Sequence, residues 1–136
     1  MSFSGVKRRS FHPPRVLIVE DETIVALDLQ CTLEQLGCSV IKIVSSGEES
    51  IEAARKYSPD VIFMDIKLKG KIDGIKAAEI IYHRWKIPII YISAYSDLQS
   101  LQRMNKIKNY GYLNKPFAEY ELKSFLDKAL GQDCPL

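Results

Sequence analysis

The chain has 136 residues, 46% of them hydrophobic and 26% charged, which is enough apolar material for one globular domain with its own core. Its 19 basic and 17 acidic residues leave a net charge of +2, so a nucleic-acid partner is not expected. No apolar run approaches the roughly 20 residues that span a bilayer, and the basic residues near the N-terminus precede no apolar core of a secretion signal. Three cysteines without metal-ligand spacing indicate reduced thiols. We therefore expect a cytoplasmic protein without a membrane partner.

Residues 1–14 show no periodic pattern and contain two adjacent prolines, so we expect a flexible tail there. From Arg15 onward, five short apolar segments alternate with five segments of helical periodicity. The predicted strands cover 15–19, 38–44, 60–65, 88–92 and 110–113. Strict alternation of this kind predicts an α/β fold with a parallel sheet and helices on both faces. The predicted domain covers 15–131, and 132–136 form a C-terminal stub.

Local signals mark where the helices begin and end. Gly37 is typical of a helix stop, and the Ser-x-x-Glu sequence from Ser46 has the form of a capping box. Asp73 is the predicted N-cap of the third helix, and Ser96 or Asp97 that of the fourth. The segments between these signals are long enough to connect parallel strands.

Polar side chains follow the apolar strands at one edge of the predicted sheet. Right-handed crossovers place the C-terminal ends of the strands at that edge, where ligands bind in such sheets. The residues released there are Glu20, Asp21, Asp65, Ser93 and Lys115. Three close carboxylates repel one another, and a hard cation such as Mg²⁺ relieves that repulsion through oxygen ligands. Asp65 is then a candidate nucleophile for phosphoryl transfer, with Lys115 and Ser93 stabilising the phosphoryl oxygens.

Each of these residues also has a simpler interpretation. Asp65 is then a cap or a surface carboxylate, Ser93 is a cap, and Lys115 is a solvated lysine. Glu20 and Asp21 are acidic residues at a helix start, where the helix dipole favours them. Glu22, the next acidic residue, is interpreted only as a helix-start charge. The convergence of five such side chains at one edge favours the reactive interpretation.

Four motifs in this order make the chain resemble the response-regulator receiver family over residues 15–131. They are Val-Glu-Asp-Glu at 19–22, Phe-Met-Asp at 63–65, Ser-Ala at 93–94 and Tyr-Leu-Asn-Lys-Pro-Phe at 112–117. The resemblance implies a flavodoxin-like (βα)5 doubly wound sheet with strand order 2-1-3-4-5. It also implies that Asp65 accepts a phosphoryl group from a phosphohistidine of a sensor kinase or phosphotransfer protein.

The resemblance assigns a role to each remaining site residue. Glu20, Asp21, Asp65 and the backbone carbonyl of Lys67 serve the Mg²⁺ site. Lys115 is the phosphate-binding lysine, and its bond to Pro116 is expected to be cis. Ser93 and Tyr112 are the hydroxyl and aromatic switch pair, although Tyr112 also has a plain interpretation as a core residue.

The chain departs from the family pattern in three places. Glu20 stands where many receivers have Asp, so we expect its longer side chain to reach Mg²⁺ through water. Ser93 replaces the commoner Thr and loses the methyl group that restricts its rotamer. The loop over 67–72 is longer than the family minimum and carries three lysines. We expect this loop to affect either the contact with a partner or the lifetime of the phosphate.

The expected mechanism is a two-state switch. Movement of Ser93 toward a phosphoryl group on Asp65 vacates space for Tyr112 and changes the face of the fourth helix, fifth strand and fifth helix. That face, near Leu101, Lys106, Lys108, Tyr112, Glu119 and Lys123, then binds a downstream protein or a second copy of the chain. Because the sequence ends at Leu136, we expect output through protein contact. The chain is expected to be no enzyme beyond its own phosphorylation and dephosphorylation.

Three alternatives stay open on the sequence. The first is a receiver-like module that binds protein and is not regulated by phosphorylation. The second is a flavin- or dinucleotide-binding domain, which needs a phosphate loop after the first strand, where Glu20, Asp21 and Glu22 stand instead. The third is a phosphatase with an Asp nucleophile, which needs a second acid where Lys67 stands.

Overall fold

The computed structural model describes residues 12–94 and 101–131. The strands are β1 Arg15–Val19, β2 Ser39–Val44, β3 Val61–Asp65, β4 Ile89–Ala94 and β5 Tyr112–Lys115. They form one parallel sheet, as the alternation of elements predicts, in the order β2-β1-β3-β4-β5 that the resemblance implies. The helices are α1 Thr23–Gln35, α2 Gly47–Tyr57, α3 Gly74–Trp85, α4 Leu101–Met104 and α5 Glu119–Ala129. The predicted tail and stub fall largely on residues 1–11 and 132–136, which lie outside the described residues.

Helices cover both faces of the sheet. Successive strand residues point to opposite faces, so each inner strand contributes side chains to two cores. In β1, Leu17 and Val19 belong to the core that lies under α2, α3 and α4. Val16 and Ile18 belong to the second core, under α1 and α5. A strand that is buried on both faces appears in the sequence as a continuous apolar run, not as alternating apolar and polar residues. For this reason β1 and β3 are the clearest strands in the sequence.

β2 is one of the two edge strands, and none of its residues is fully buried. Its pairing with β1 shifts by one residue, since Val16 pairs with Val40 and Leu17 pairs with Lys42. An edge strand packs on fewer neighbours, so its sequence needs less apolar surface. The mixed composition of 38–44 follows from this position.

Two predicted helix caps are confirmed. The Ser46 side chain accepts a hydrogen bond from Glu49 N at 3.1 Å, and Asp73 Oδ1 accepts one from Lys76 N at 2.9 Å. The Glu49 carboxylate accepts from the backbone N–H of Ser45, one residue before the cap. The cap predicted at 96–97 lies outside the described residues, and among the described helices none is long and apolar enough to cross a membrane.

Two strands extend further than their apolar residues. Asp65 is the last residue of β3 and pairs with Ile92, while Lys115 is the last residue of β5 and pairs with Ala94. Backbone pairing therefore continues through polar residues, which a pattern of side-chain burial does not report. Both side chains lie at the same end of the sheet.

Candidate functional site

Three carboxylates converge at the C-terminal edge of β1 and β3. Glu20, Asp21 and Asp65 each offer one oxygen, and these oxygens all lie within 4.8 Å of one another. β1 and β3 are neighbours in the sheet, with Val19 paired to Met64, so the residues that follow meet at the edge. Glu20 and Asp65 are buried, at 2% and 5% exposure, while Asp21 is half-buried.

Lys115 brings a positive charge to this cluster from the end of β5. Its Nζ lies 3.0 Å from Glu20 Oε1 and 3.6 Å from Asp65 Oδ2. Glu22 Oε1 also lies 3.6 Å from the same Nζ. The interpretation of Glu22 as a helix-start charge alone is therefore wrong, because its side chain turns back toward the site. One ammonium group partly neutralises three carboxylates.

The electrostatics of Asp65 follow from this arrangement. Burial, together with the charge and hydrogen bonding of Glu20, raises the pKa of Asp65 to about 7, against the opposing effects of Lys115 and the Lys67 N–H. Desolvation lowers the pKa of Lys115, but the hydrogen bond to Glu20 and the nearby carboxylates outweigh it and raise the pKa above its usual value. The cluster therefore holds more negative charge than its single ammonium can balance.

The donor set fits a hard divalent cation. All three side chains offer oxygen atoms, and two of them are buried next to each other. A cation would offset both the burial and the repulsion by Glu20 that raise the pKa of Asp65. A cleft of about 290 Å³ opens beside Glu20 and Asp21, between α1 and the end of β2. The cluster is therefore reachable from solvent on one side.

Asp65 is held in position by the backbone around it. Its Oδ1 accepts a hydrogen bond from Lys67 N at 3.2 Å, so the Lys67 backbone lies directly beside the carboxylate. Gly74 N donates to Ile66 O at 2.9 Å, which brings the start of α3 against the end of β3. A Cβ at Gly74 would lie 1.8 Å from the Asp65 carbonyl oxygen. Sequence reasoning missed Gly74, although an Asp-Gly pair after a functional Asp is a detectable signal.

Ser93 lies in β4 and Tyr112 in the neighbouring strand β5. Ser93 is buried in β4, next to Ile92, the pairing partner of Asp65. The ring of Tyr112 stacks on that of Tyr91 with centroids 6.5 Å apart. Its hydroxyl donates to Asn105 Oδ1 at 2.7 Å. Tyr112 is thus bound to the residue that follows α4, a contact that the sequence did not reveal.

The predicted output face is mostly exposed where it is described. Leu101 and Tyr112 are half-buried and pack on the core under α4. The other residues named for this face are exposed, namely Lys106, Lys108, Glu119 and Lys123. The bond between Lys115 and Pro116 is cis, as the resemblance implies.

A model of the response regulator receiver domain matches residues 16–127. The chain belongs to the response regulator receiver family. Receiver domains are signalling modules of two-component systems, and the five-stranded sheet seen here is the receiver fold.

A sequence relative of this receiver is the transcriptional regulatory protein PdtaR of Mycobacterium tuberculosis. The two are 32% identical over 120 residues, which are 88% of this chain and 58% of PdtaR. The chain therefore spans little more than half the length of this relative.

Two solved structures resemble the receiver closely. The signal receiver domain of a modulated diguanylate cyclase from Desulfovibrio desulfuricans is 35% identical, with a TM-score of 0.83 over 88% of this chain and 95% of that one. The receiver domain of the sensor histidine kinase PA1611 from Pseudomonas aeruginosa is 27% identical, with a TM-score of 0.77 over 88% and 98%. The second has a magnesium ion coordinated in its active-site cleft.

Proposed function

We propose that this receiver is the phosphoacceptor of a two-component phosphorelay, with Asp65 as the residue that is phosphorylated. The observation that carries the proposal is the placement of Asp65. Its carboxylate lies within 4.8 Å of two further carboxylate oxygens and 3.6 Å from the Lys115 ammonium. This is the set of groups that phosphoryl transfer to a carboxylate requires.

In the proposed reaction, an Asp65 carboxylate oxygen attacks the phosphorus of a phosphohistidine on a sensor kinase or phosphotransfer protein. The O–P bond forms, the P–N bond breaks, and the donor imidazole leaves with a proton from solvent. Lys115 stabilises the charge on the phosphoryl oxygens, and the Ser93 hydroxyl donates a hydrogen bond to one of them. Attack by water on the phosphorus later returns the carboxylate and releases phosphate.

Glu20, Asp21, Asp65 and the Lys67 carbonyl are the proposed Mg²⁺ ligands. Bound Mg²⁺ supplies positive charge next to the transferring phosphoryl group. The PA1611 receiver supports this assignment, because its cleft holds that ion. Glu20 also binds Lys115 at 3.0 Å, so one residue links the cation site to the phosphate-binding lysine.

The proposed output is a change in the face formed by α4, β5 and α5. A phosphoryl group on Asp65 draws Ser93 toward it, and Tyr112 then exchanges its hydrogen bond with Asn105 for a position closer to Ser93. The face binds a downstream protein or a second copy of the chain. We also propose a cytoplasmic location, since Cys31 and Cys38 are free thiols.

The deciding experiment is incubation of the full chain with Mg²⁺ and acetyl phosphate, followed by intact-mass measurement. We expect one added phosphoryl group in the wild type and in Asp28→Asn, a matched change at an exposed carboxylate on α1. Asp65→Asn is expected to show none.

An unmodified wild-type chain, or equal modification of Asp65→Asn, would contradict the proposal. The first result would favour the binding module that is not regulated by phosphorylation.

A further inference from the structure

The loop over 66–73, which follows Asp65 directly, is anchored at its far end by Glu48 in the first turn of α2. Lys71 N donates to Glu48 Oε2 at 2.9 Å across a separation of 23 residues. The backbone N–H groups of Glu48 itself, Lys71 and Ile72 lower the pKa of this carboxyl. Glu48 is therefore ionised at neutral pH and accepts hydrogen bonds from the loop backbone.

Gly70 permits this close approach. Its φ is +111°, in the region that favours glycine, and a Cβ there would lie 2.8 Å from Glu48 Oε1. A side chain at this position would both strain the backbone and displace the carboxylate. The loop conformation and the Glu48 contact are thus matched to each other.

Two neighbours of Glu48 bind the same loop. Ser46 forms a parallel bridge with Lys69, the loop residue two before Lys71. Gly47 packs so closely on Ile72 that a Cβ would lie 2.7 Å from the Ile72 side chain. The start of α2 therefore contacts the loop at three consecutive residues, whereas the near end of the loop is held by the hydrogen bond between Lys67 N and Asp65 Oδ1.

We propose that Glu48 is a positioning residue for the phosphorylation site. By holding residues 69–72 against α2, it keeps the Lys67 carbonyl and the Asp65 carboxylate in the arrangement that binds Mg²⁺. This inference rests on the proposed function. If the backbone of one loop residue must become ordered when the cation binds, the entropy cost lowers the binding constant by about fivefold or more. A loop that is already ordered in the free protein avoids this cost and binds the cation more tightly.

The test compares Glu48→Ala, Glu48→Gln and Glu52→Ala in the full chain. Glu52 lies one turn further along α2, is exposed, and pairs with Arg55. The readouts are amide hydrogen exchange at Lys71, the Mg²⁺ dissociation constant from an NMR titration, thermal unfolding, and the yield of phosphorylated chain.

We expect Glu48→Ala to weaken Mg²⁺ binding about three- to tenfold and to speed exchange at Lys71. Glu48→Gln keeps an acceptor oxygen and should recover part of both effects, while Glu52→Ala should match the wild type. A role of Glu48 in helix stability alone would lower the unfolding temperature without changing Mg²⁺ affinity.

Equal Mg²⁺ affinity in Glu48→Ala and Glu52→Ala, in a chain whose wild type binds Mg²⁺ and is phosphorylated, would overturn this inference and leave the proposed function intact. A wild type that binds no Mg²⁺ and takes no phosphoryl group would overturn both.

Discussion

Replacement of Asp65 by Asn should stabilise the metal-free protein. Asp65 is 5% exposed and faces Glu20, and burial with that charge raises its pKa to about 7. Above this pH the folded chain holds an ionised carboxylate that water would solvate better. Asn keeps the shape and an acceptor for the Lys67 N–H, but it carries no charge.

The size of the effect follows from the pKa. A rise from 3.8 to about 7 corresponds to at most about 4 kcal/mol at neutral pH, because a tenfold change in a proton-binding constant is about 1.4 kcal/mol. The site opens to solvent on one side, which screens the charges, and the variant loses the ion pair with Lys115. We therefore expect a gain of about 1–2 kcal/mol, or roughly 3–8 °C in Tm for a domain of this size.

The same argument fixes the sign of the pH dependence. Between pH 3.8 and about 7, folded Asp65 keeps a proton that the unfolded chain has released. The contribution of this group to the free energy of unfolding therefore falls as the pH rises through that window. Asp65→Asn should lack this contribution. Mg²⁺ at ten times its dissociation constant should raise the free energy of unfolding of the wild type by about 1.4 kcal/mol.

Urea denaturation followed by circular dichroism, in EDTA and then in Mg²⁺, measures each of these free energies, and thermal unfolding in the same buffers measures Tm. Asp28→Asn on α1 is the matched control and should follow the wild type throughout. A wild type that is at least as stable as Asp65→Asn in EDTA from pH 7 to 8 would refute the argument that the carboxylates repel one another in the folded chain.

Three further predictions concern residues around the site. Gly74→Ala places a Cβ 1.8 Å from the Asp65 carbonyl oxygen and should lower the free energy of unfolding by about 2–4 kcal/mol in urea denaturation; a loss below about 0.5 kcal/mol would contradict this packing. Asp73 caps α3 and also binds Arg103 at 2.8 Å. Asp73→Ala should therefore lower the free energy of unfolding by about 1–2 kcal/mol. Arg103→Met removes only the partly exposed ion pair and should lower the free energy of unfolding by less than about 1 kcal/mol. The Tyr91 hydroxyl is buried and has no hydrogen-bond partner among the described residues, so Tyr91→Phe should raise Tm slightly, and a large fall in Tm would reveal a partner.

The fold was predictable because both kinds of element leave periodic signals. The four apolar residues before Asp65 and those of β1 mark strands that are buried on both faces, and alternation with helices restricts the topology to a parallel sheet. The strand order came from the family resemblance, since alternation alone allows several orders. Strand ends were less predictable, because β5 begins at Tyr112 and continues through Lys115 by backbone pairing alone.

The members of the carboxylate cluster were predictable for a related reason. In a parallel sheet every strand delivers its next residue to one edge, so a strand followed by an acid is a local signal with a known destination. The ion pair between Glu22 and Lys115 was missed, since nothing in an acidic run shows which side chain turns back over the sheet.

The parallel character of the sheet, the edge to which Asp65, Glu20 and Lys115 are delivered, and the chemical types of those groups can all be read from the sequence alone. Each of these follows from residues that are close in sequence or from the rule that parallel strands end together. The tertiary structure alone decided the contact of Glu48 with the loop after Asp65 and the hydrogen bond between Tyr112 and Asn105. These contacts join elements whose relative placement depends on packing of the whole core, and a backbone N–H leaves no trace in the identity of the residue that carries it.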